Sequence, residues 1–248
     1  MRRAFGALGF ATVAMVPGLA VGEIRSVQEC EAAIISDPQL AREDAGQWAR
    51  SGGGVQAKIC EAAALEALGA TATAARLLEG VAANPGRAMP RDLRAVLFED
   101  AARLWLEKDQ PEFALAALDR ADQISDAEPE RLRLRARAAA AYGNWPEATE
   151  ALDALIEVRP ESARAHALRA ASLRHEGRLT MALWSAQTAL RLSPDLPEGQ
   201  FEAGAAAAEL QDMQEAKSHW LKLVRLYPDH PLADAARRNL AQLALQGG

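Results

Sequence analysis

Cysteine, histidine and aromatic side chains are scarce in this chain. Its 248 residues hold two cysteines, four histidines and 5% aromatics. The cysteines, Cys30 and Cys60, form no C-x-x-C pair, which excludes a zinc ribbon, a thioredoxin-like redox motif and a haem attachment site. His166, His175, His219 and His230 all lie far along the chain from either thiol, so no Cys–His nucleophile pair is expected. G-x-G-x-x-G, P-loop, G-x-S-x-G and H-E-x-x-H patterns are absent. Gly52-Gly53-Gly54 follows a helical stretch rather than a strand, which argues against a phosphate cradle. Glu43-Asp44 and Glu99-Asp100 are sequence neighbours that point to different helix sides, unlike an acid/base pair. No enzyme, metal or cofactor is therefore expected.

Basic charge is also short. There are 28 basic side chains against 34 acidic ones, a formal net charge of −6. An acidic body lacks the cationic footprint that nucleic acid needs. β-branched runs are nearly missing beyond the first 25 residues, so sheets are not expected.

Long apolar runs occur once, at the N-terminus. Arg2 and Arg3 precede the uncharged stretch Ala4–Val16; Pro17-Gly18 breaks it, and Ala20-Val21-Gly22 supplies small residues. Residues 1–22 thus read as a secretory signal cut after Gly22, with an uncleaved anchor as the alternative. No stable span is expected once it is cleaved. The expected location is a bacterial periplasm.

What is abundant is Ala and Leu, which lose little side-chain freedom in a helix. Their arrangement repeats. GNWPEATEALDALIEVRP (143–160), GRLTMALWSAQTALRLSP (177–194) and QDMQEAKSHWLKLVRLYP (211–228) follow one another at a spacing of 34. Ala148, Ala182 and Ala216 fall in register, as do Pro160, Pro194 and Pro228, with Gly143 and Gly177 at the turn. Ala114 takes the same slot one step earlier, with Asp126 where the proline would be; Ala74 takes it earlier still. In 147–158 the residues Ala148, Ala151, Leu152, Leu155 and Ile156 recur on one helical face. Pro197 and Pro231 suit a first helical turn, and Ser162 and Asp195 suit caps.

This pattern resembles the tetratricopeptide-repeat (TPR) family, whose unit is a 34-residue antiparallel helix pair. The resemblance implies an all-α solenoid. Residues 23–85 hold N-terminal hairpins, 86–94 a linker-like insertion, 95–228 the array, and 229–245 a capping helix with Leu232, Ala236, Leu240 and Leu243 on one stripe. The chain departs from the family at several slots. The small first-helix residue is Ala102, Ala136, Ala170 and, once, Gly204; Asp109 and Gln211 replace the turn glycine; the first-helix aromatic is Phe98 once, then Leu132, His166 and Gln200. Trp48, Trp105, Trp145, Trp184 and Trp220 are spread through the hairpins and read as core filling.

The resemblance places Cys30 and Cys60 on first helices of consecutive hairpins, which pack side by side in this family. In an oxidising compartment that implies a disulfide, with two free buried thiols as the alternative. It also implies a concave peptide groove. The groove slots fall on Glu99, Arg103, Arg133, Arg137, Arg164, Arg174 and His175, with small residues Ala140, Ala141, Ala167 and Ala171. The family's carboxylate clamp lacks its asparagines here; Leu168 is one departure. Arg133 and Arg137 share one helix face, and arginine grips carboxylates bidentately. The expected partner is another envelope protein or peptide, held through an acidic segment or C-terminal carboxylate. Alternatively these arginines pair with Glu130, Glu161 and Glu176 and only solubilise the face. The function expected is a non-enzymatic adaptor. An accessory subunit for cytochrome c maturation or for outer-membrane or cell-wall assembly is a second reading. An enzyme assembled from Asp, Glu and His across repeats is a third.

The in-register alanines generate one test. Ala148→Leu should overpack a helix crossing and destabilise the array by about 1–3 kcal/mol, seen as a lowered thermal midpoint; an unchanged midpoint would count against the repeat register.

Overall fold

The computed structural model describes residues 24–85 and 89–246. The expected signal, residues 1–22, lies outside them. The described residues form α-helices and no strand. The first hairpin is α1 (Val27–Ser36) with α2 (Pro38–Trp48), followed by a π-helical turn, Ala49–Gly53. The others are α3 (Gly54–Ala67) with α4 (Thr71–Ala83), α5 (Arg91–Glu107) with α6 (Pro111–Asp122), α7 (Pro129–Tyr142) with α8 (Trp145–Val158), α9 (Ala163–His175) with α10 (Leu179–Leu192), and α11 (Pro197–Glu209) with α12 (Met213–Leu226). α13 (Pro231–Gln246) closes the row. Each helix packs on the next, so the core is a continuous layer rather than one centre. Among the described residues no helix is long and apolar enough to cross a membrane.

The repeat period has two physical sources. The first is the helix crossing. Ala74, Ala114, Ala148, Ala182 and Ala216 are all fully buried, as the register requires. The second is the turn. Gly69, Asp109, Gly143, Gly177 and Gln211 all have φ between 54° and 86°. At each, the next amide N–H reaches back to a carbonyl five residues earlier, at 2.8–3.0 Å (Ala70 to Leu65, Gln110 to Trp105, Asn144 to Ala139, Arg178 to Leu173, Asp212 to Ala207). This is the Schellman closure, and it needs a left-handed residue.

Prolines Pro129, Pro197 and Pro231 occupy first turns. Ser162 caps α9 as expected, its hydroxyl accepting the Ala165 N–H. Asp195 does not cap α11; Leu196 holds that position, and Asp195 instead pairs with Lys222 at 3.1 Å. The helix α5 begins at Arg91, taking in residues that the sequence assigned to the 86–94 connector. Two arginines explain the extra turn. Arg94 donates to the Ala82 carbonyl at 2.8 Å, and Arg91 donates to the Ile124 carbonyl, so both heads satisfy backbone acceptors left unpaired near helix ends.

Cys30 and Cys60 are joined by a disulfide, with Cα atoms 5.9 Å apart. It ties α1 to α3, and both cysteines are buried. The free-thiol alternative is thereby removed.

The left-handed turns yield a stability test. A non-glycine L-residue there costs roughly 1–2 kcal/mol. Gln211→Gly should therefore raise the stability of the C-terminal repeats by about 1 kcal/mol. Gly143→Gln, where an added Cβ meets no atom within 4 Å, should lower stability by a similar amount. Chemical denaturation of the two variants checks both signs.

Candidate functional site

The first helices of successive hairpins form one face of the stack. They do not touch uniformly. α5 packs on α7 and α9 on α11, whereas α7 and α9 meet at most marginally. In that gap lies a cleft of about 600 Å³. Ala136, Ala140, Leu152 and Ala171 give it an apolar floor; Trp145, the first residue of α8, closes one side; Arg133, Arg137, Arg164 and Leu168 stand around it. Trp145 is held by His175 from the end of α9, the two rings stacking at 3.9 Å and 8°.

Five of the expected groove residues therefore converge: the cations Arg133, Arg137 and Arg164 and the small residues Ala140 and Ala171. Two carboxylates answer the cations. Arg133 donates to Glu130 at 2.8 Å, and this bond holds the Glu130 carboxyl below the usual carboxylate range. Arg164 pairs with Glu198 at 2.7 Å, with its side chain 72% exposed, so the pair is weak. Arg137 is exposed and, among the described residues, has no ion pair. The cleft thus joins an apolar floor to a rim with one unneutralised cation. Such a site can take an apolar side chain and grip an adjacent carboxylate bidentately.

His175 braces the cleft wall through Trp145, whereas Arg103, Arg174 and Glu99 are held elsewhere. Arg103 is bound by Glu66 at 2.8 Å and Glu107 at 2.7 Å. Arg174 is bound by Glu202 and Glu209, both at 3.0 Å; burial opposes its charge, but the two carboxylates prevail and raise its pKa. Glu99, expected in the groove, is turned inward onto Arg131 at 2.8 Å. Glu176 pairs with Arg178, so the alternative pairing scheme holds only at Glu130.

Sequence reasoning missed half of RLRLRAR. Arg131, 2% exposed, also binds Asp122 at 3.0 Å and the Ser125 carbonyl at 2.7 Å. Arg135 binds Asp119, Asp122 and Glu147 at 2.7–2.9 Å. The four-residue spacing that pairs Arg133 with Arg137 pairs Arg131 with Arg135 equally well. The available signal was the acidic partners on α6. The tryptophans also divide. Trp105 and Trp220 are buried, but Trp145 lines the cleft and Trp184 is 56% exposed, so core filling does not describe them all.

No protein-family model and no curated protein sequence matches this chain. Solved structures do match. YrrB, described as a TPR protein with an unusual peptide-binding site, superposes with a TM-score of 0.63 at 16% identity, over 79% of this chain and 99% of its own. The fold is the tetratricopeptide-repeat solenoid. MamA superposes on this solenoid with a TM-score of 0.56 at 15% identity, over 65% of this chain and 91% of its own. A chain of the APC/C Cut9–Hcn1 hetero-tetramer aligns at 0.60 and 11% identity, over 87% of this chain and 42% of its own.

The Trp145–His175 stack within this TPR cleft carries a pH signature. Burial, then the nearby Arg174 charge, lowers the His175 pKa below its ordinary 6.5. The folded state thus resists protonation of His175. Its contribution is complete above the ordinary imidazole value and declines as pH falls through the depressed one. Trp145 emission, taken as the difference from a Trp145→Phe variant, should change with a midpoint below 6.5. A midpoint at or above that value would contradict the assignment.

Proposed function

We propose that this chain is a non-enzymatic adaptor of the bacterial periplasm. Its α7–α9 cleft takes a peptide segment bearing a carboxylate, either acidic side chains or a free C-terminus. The observation that carries this reading is the coincidence of three features at one gap in the stack: an apolar floor, a stacked aromatic wall and the unpaired Arg137 guanidinium. The comparison protein YrrB, described as having a peptide-binding site, supports a peptide as ligand. The Cys30–Cys60 bond supports the location, since such bonds persist in oxidising compartments. The N-terminal leader read from the sequence agrees with it.

The binding arrangement follows from the charges. An incoming carboxylate meets Arg137 without displacing an internal partner. Arg133 can then share its guanidinium between Glu130 and the ligand, since both sit on the exposed rim. Apolar contact with Leu152 and Trp145 supplies affinity, and the charged rim supplies selectivity.

The test uses an immobilised array of synthetic acidic peptides, each made with a free and an amidated C-terminus. A subset is expected to retain the protein. Arg133→Glu combined with Arg137→Glu should weaken that retention by about tenfold or more. The far-ultraviolet circular dichroism should not change, because both residues are exposed. Undiminished retention by the double variant would remove the cleft from consideration.

A further inference from the structure

The outer face of the solenoid, built from the second helices, divides by charge. The helix α8 carries Glu147, Glu150, Asp153 and Glu157 and no basic residue. The helix α10 carries no acidic residue. The helix α12 carries Lys217, Lys222 and Arg225, with Glu215 and His219 paired to each other at 3.7 Å. Between the two charged helices, α10 projects Trp184, 56% exposed, and Met181, 41% exposed.

Of these outer charges, Glu147, Asp153 and Lys222 are tied to Arg135, Arg169 and Asp195. On the inner side nearly every arginine is tied to a carboxylate. On the outer side Glu150, Glu157, Lys217 and Arg225 are exposed and, among the described residues, have no ion pair. Opposite unpaired charges thus flank an exposed tryptophan on either side. Such a surface is complementary to itself.

We propose that the outer face is a homodimer interface, with α10 near a two-fold axis running parallel to the second helices. That axis sets α8 of one copy against α12 of the other, twice over. A perpendicular in-plane axis would set α8 against α8, acid on acid, and is disfavoured. The repeat period then fixes the pairs. Glu157 and Arg225 are separated by two 34-residue steps, so they occupy the same level on their helices and face each other across the axis. Trp184 meets its copy at the centre. Arg191 is the one like-charge approach near the axis, and its head is drawn back onto its own helix by a 2.7 Å bond to Thr188. The arrangement leaves the inner clefts of both copies facing outward, so a dimer would offer two of them and gain by avidity. The inference does not depend on what the cleft binds.

Analytical ultracentrifugation of the mature chain tests it. A concentration-dependent dimer is expected, weakening as salt is raised because the flanking charges are exposed. Trp184→Glu should give a monomer of unchanged helicity. Glu157→Arg alone should weaken the dimer by about tenfold, because the two-fold axis counts each pair twice. Adding Arg225→Glu to it should restore wild-type association. A wild-type chain that stays monomeric up to its solubility limit overturns the proposal. So does a dimer indifferent to both Trp184→Glu and Glu157→Arg, or a Glu157→Arg, Arg225→Glu chain that associates no better than Glu157→Arg.

Discussion

Two helices can approach closely only where at least one presents a small side chain, and this stack depends on that approach at every hairpin. At one crossing the first helix presents alanine in three repeats and glycine in the fourth. Leu118 meets Ala102 and Leu152 meets Ala136; Ala186 meets Ala170; and Trp220 meets Gly204. The last pair shows the limit. A Cβ on Gly204 would come within 2.5 Å of the Trp220 indole nitrogen. The lone glycine in the series is therefore a packing complement to the bulkiest partner. Trp220 also donates to the Phe201 carbonyl at 3.2 Å, which fixes the ring over that gap.

Much of this was legible because local chemistry repeats. The period shows in Ala148, Ala182 and Ala216 and in the exit prolines, since crossing and turn recur at constant chain length. Asp109 and Gln211 looked like departures from the turn glycine, yet both adopt the left-handed conformation. Here the closure of two hydrogen bonds overrides residue preference. His166 and Gln200, which replace the family's aromatic, gain a different use. His166 Nε2 lies 3.0 Å from the Pro160 carbonyl, and the Gln200 amide donates to the Pro194 carbonyl at 2.8 Å. Arg131 reaches the Ser125 carbonyl over the same six-residue interval. The helices α7, α9 and α11 are thus each tied to the exit of the preceding hairpin by a polar side chain near the helix start.

The candidate site was only partly legible, because a long cationic side chain is placed by distant partners. Nothing within RLRLRAR separates Arg131 from Arg133. Glu99 and Asp122, on two other helices, do. Trp184 reads like the other tryptophans until the burial of Ser185 and Ala186 turns its side of α10 outward. Sequence periodicity locates helix faces well. It does not say which face a neighbouring hairpin covers when hydrophobic and charged residues share it.

Why the stack opens between α7 and α9 follows from the same register. One repeat later, Arg174 of α9 bonds Glu202 of α11, a part-buried pair that laces the two first helices together. Shifted back by 34 residues, the positions of Arg174 and Glu202 hold Ala140 and Leu168, which can form no ion pair. The lace is missing, and apolar surface takes its place. Exposed apolar surface beside an unneutralised Arg137 favours burial under another molecule. The departure from the repeat at Ala140 and Leu168 thus produces the feature on which recognition would rest.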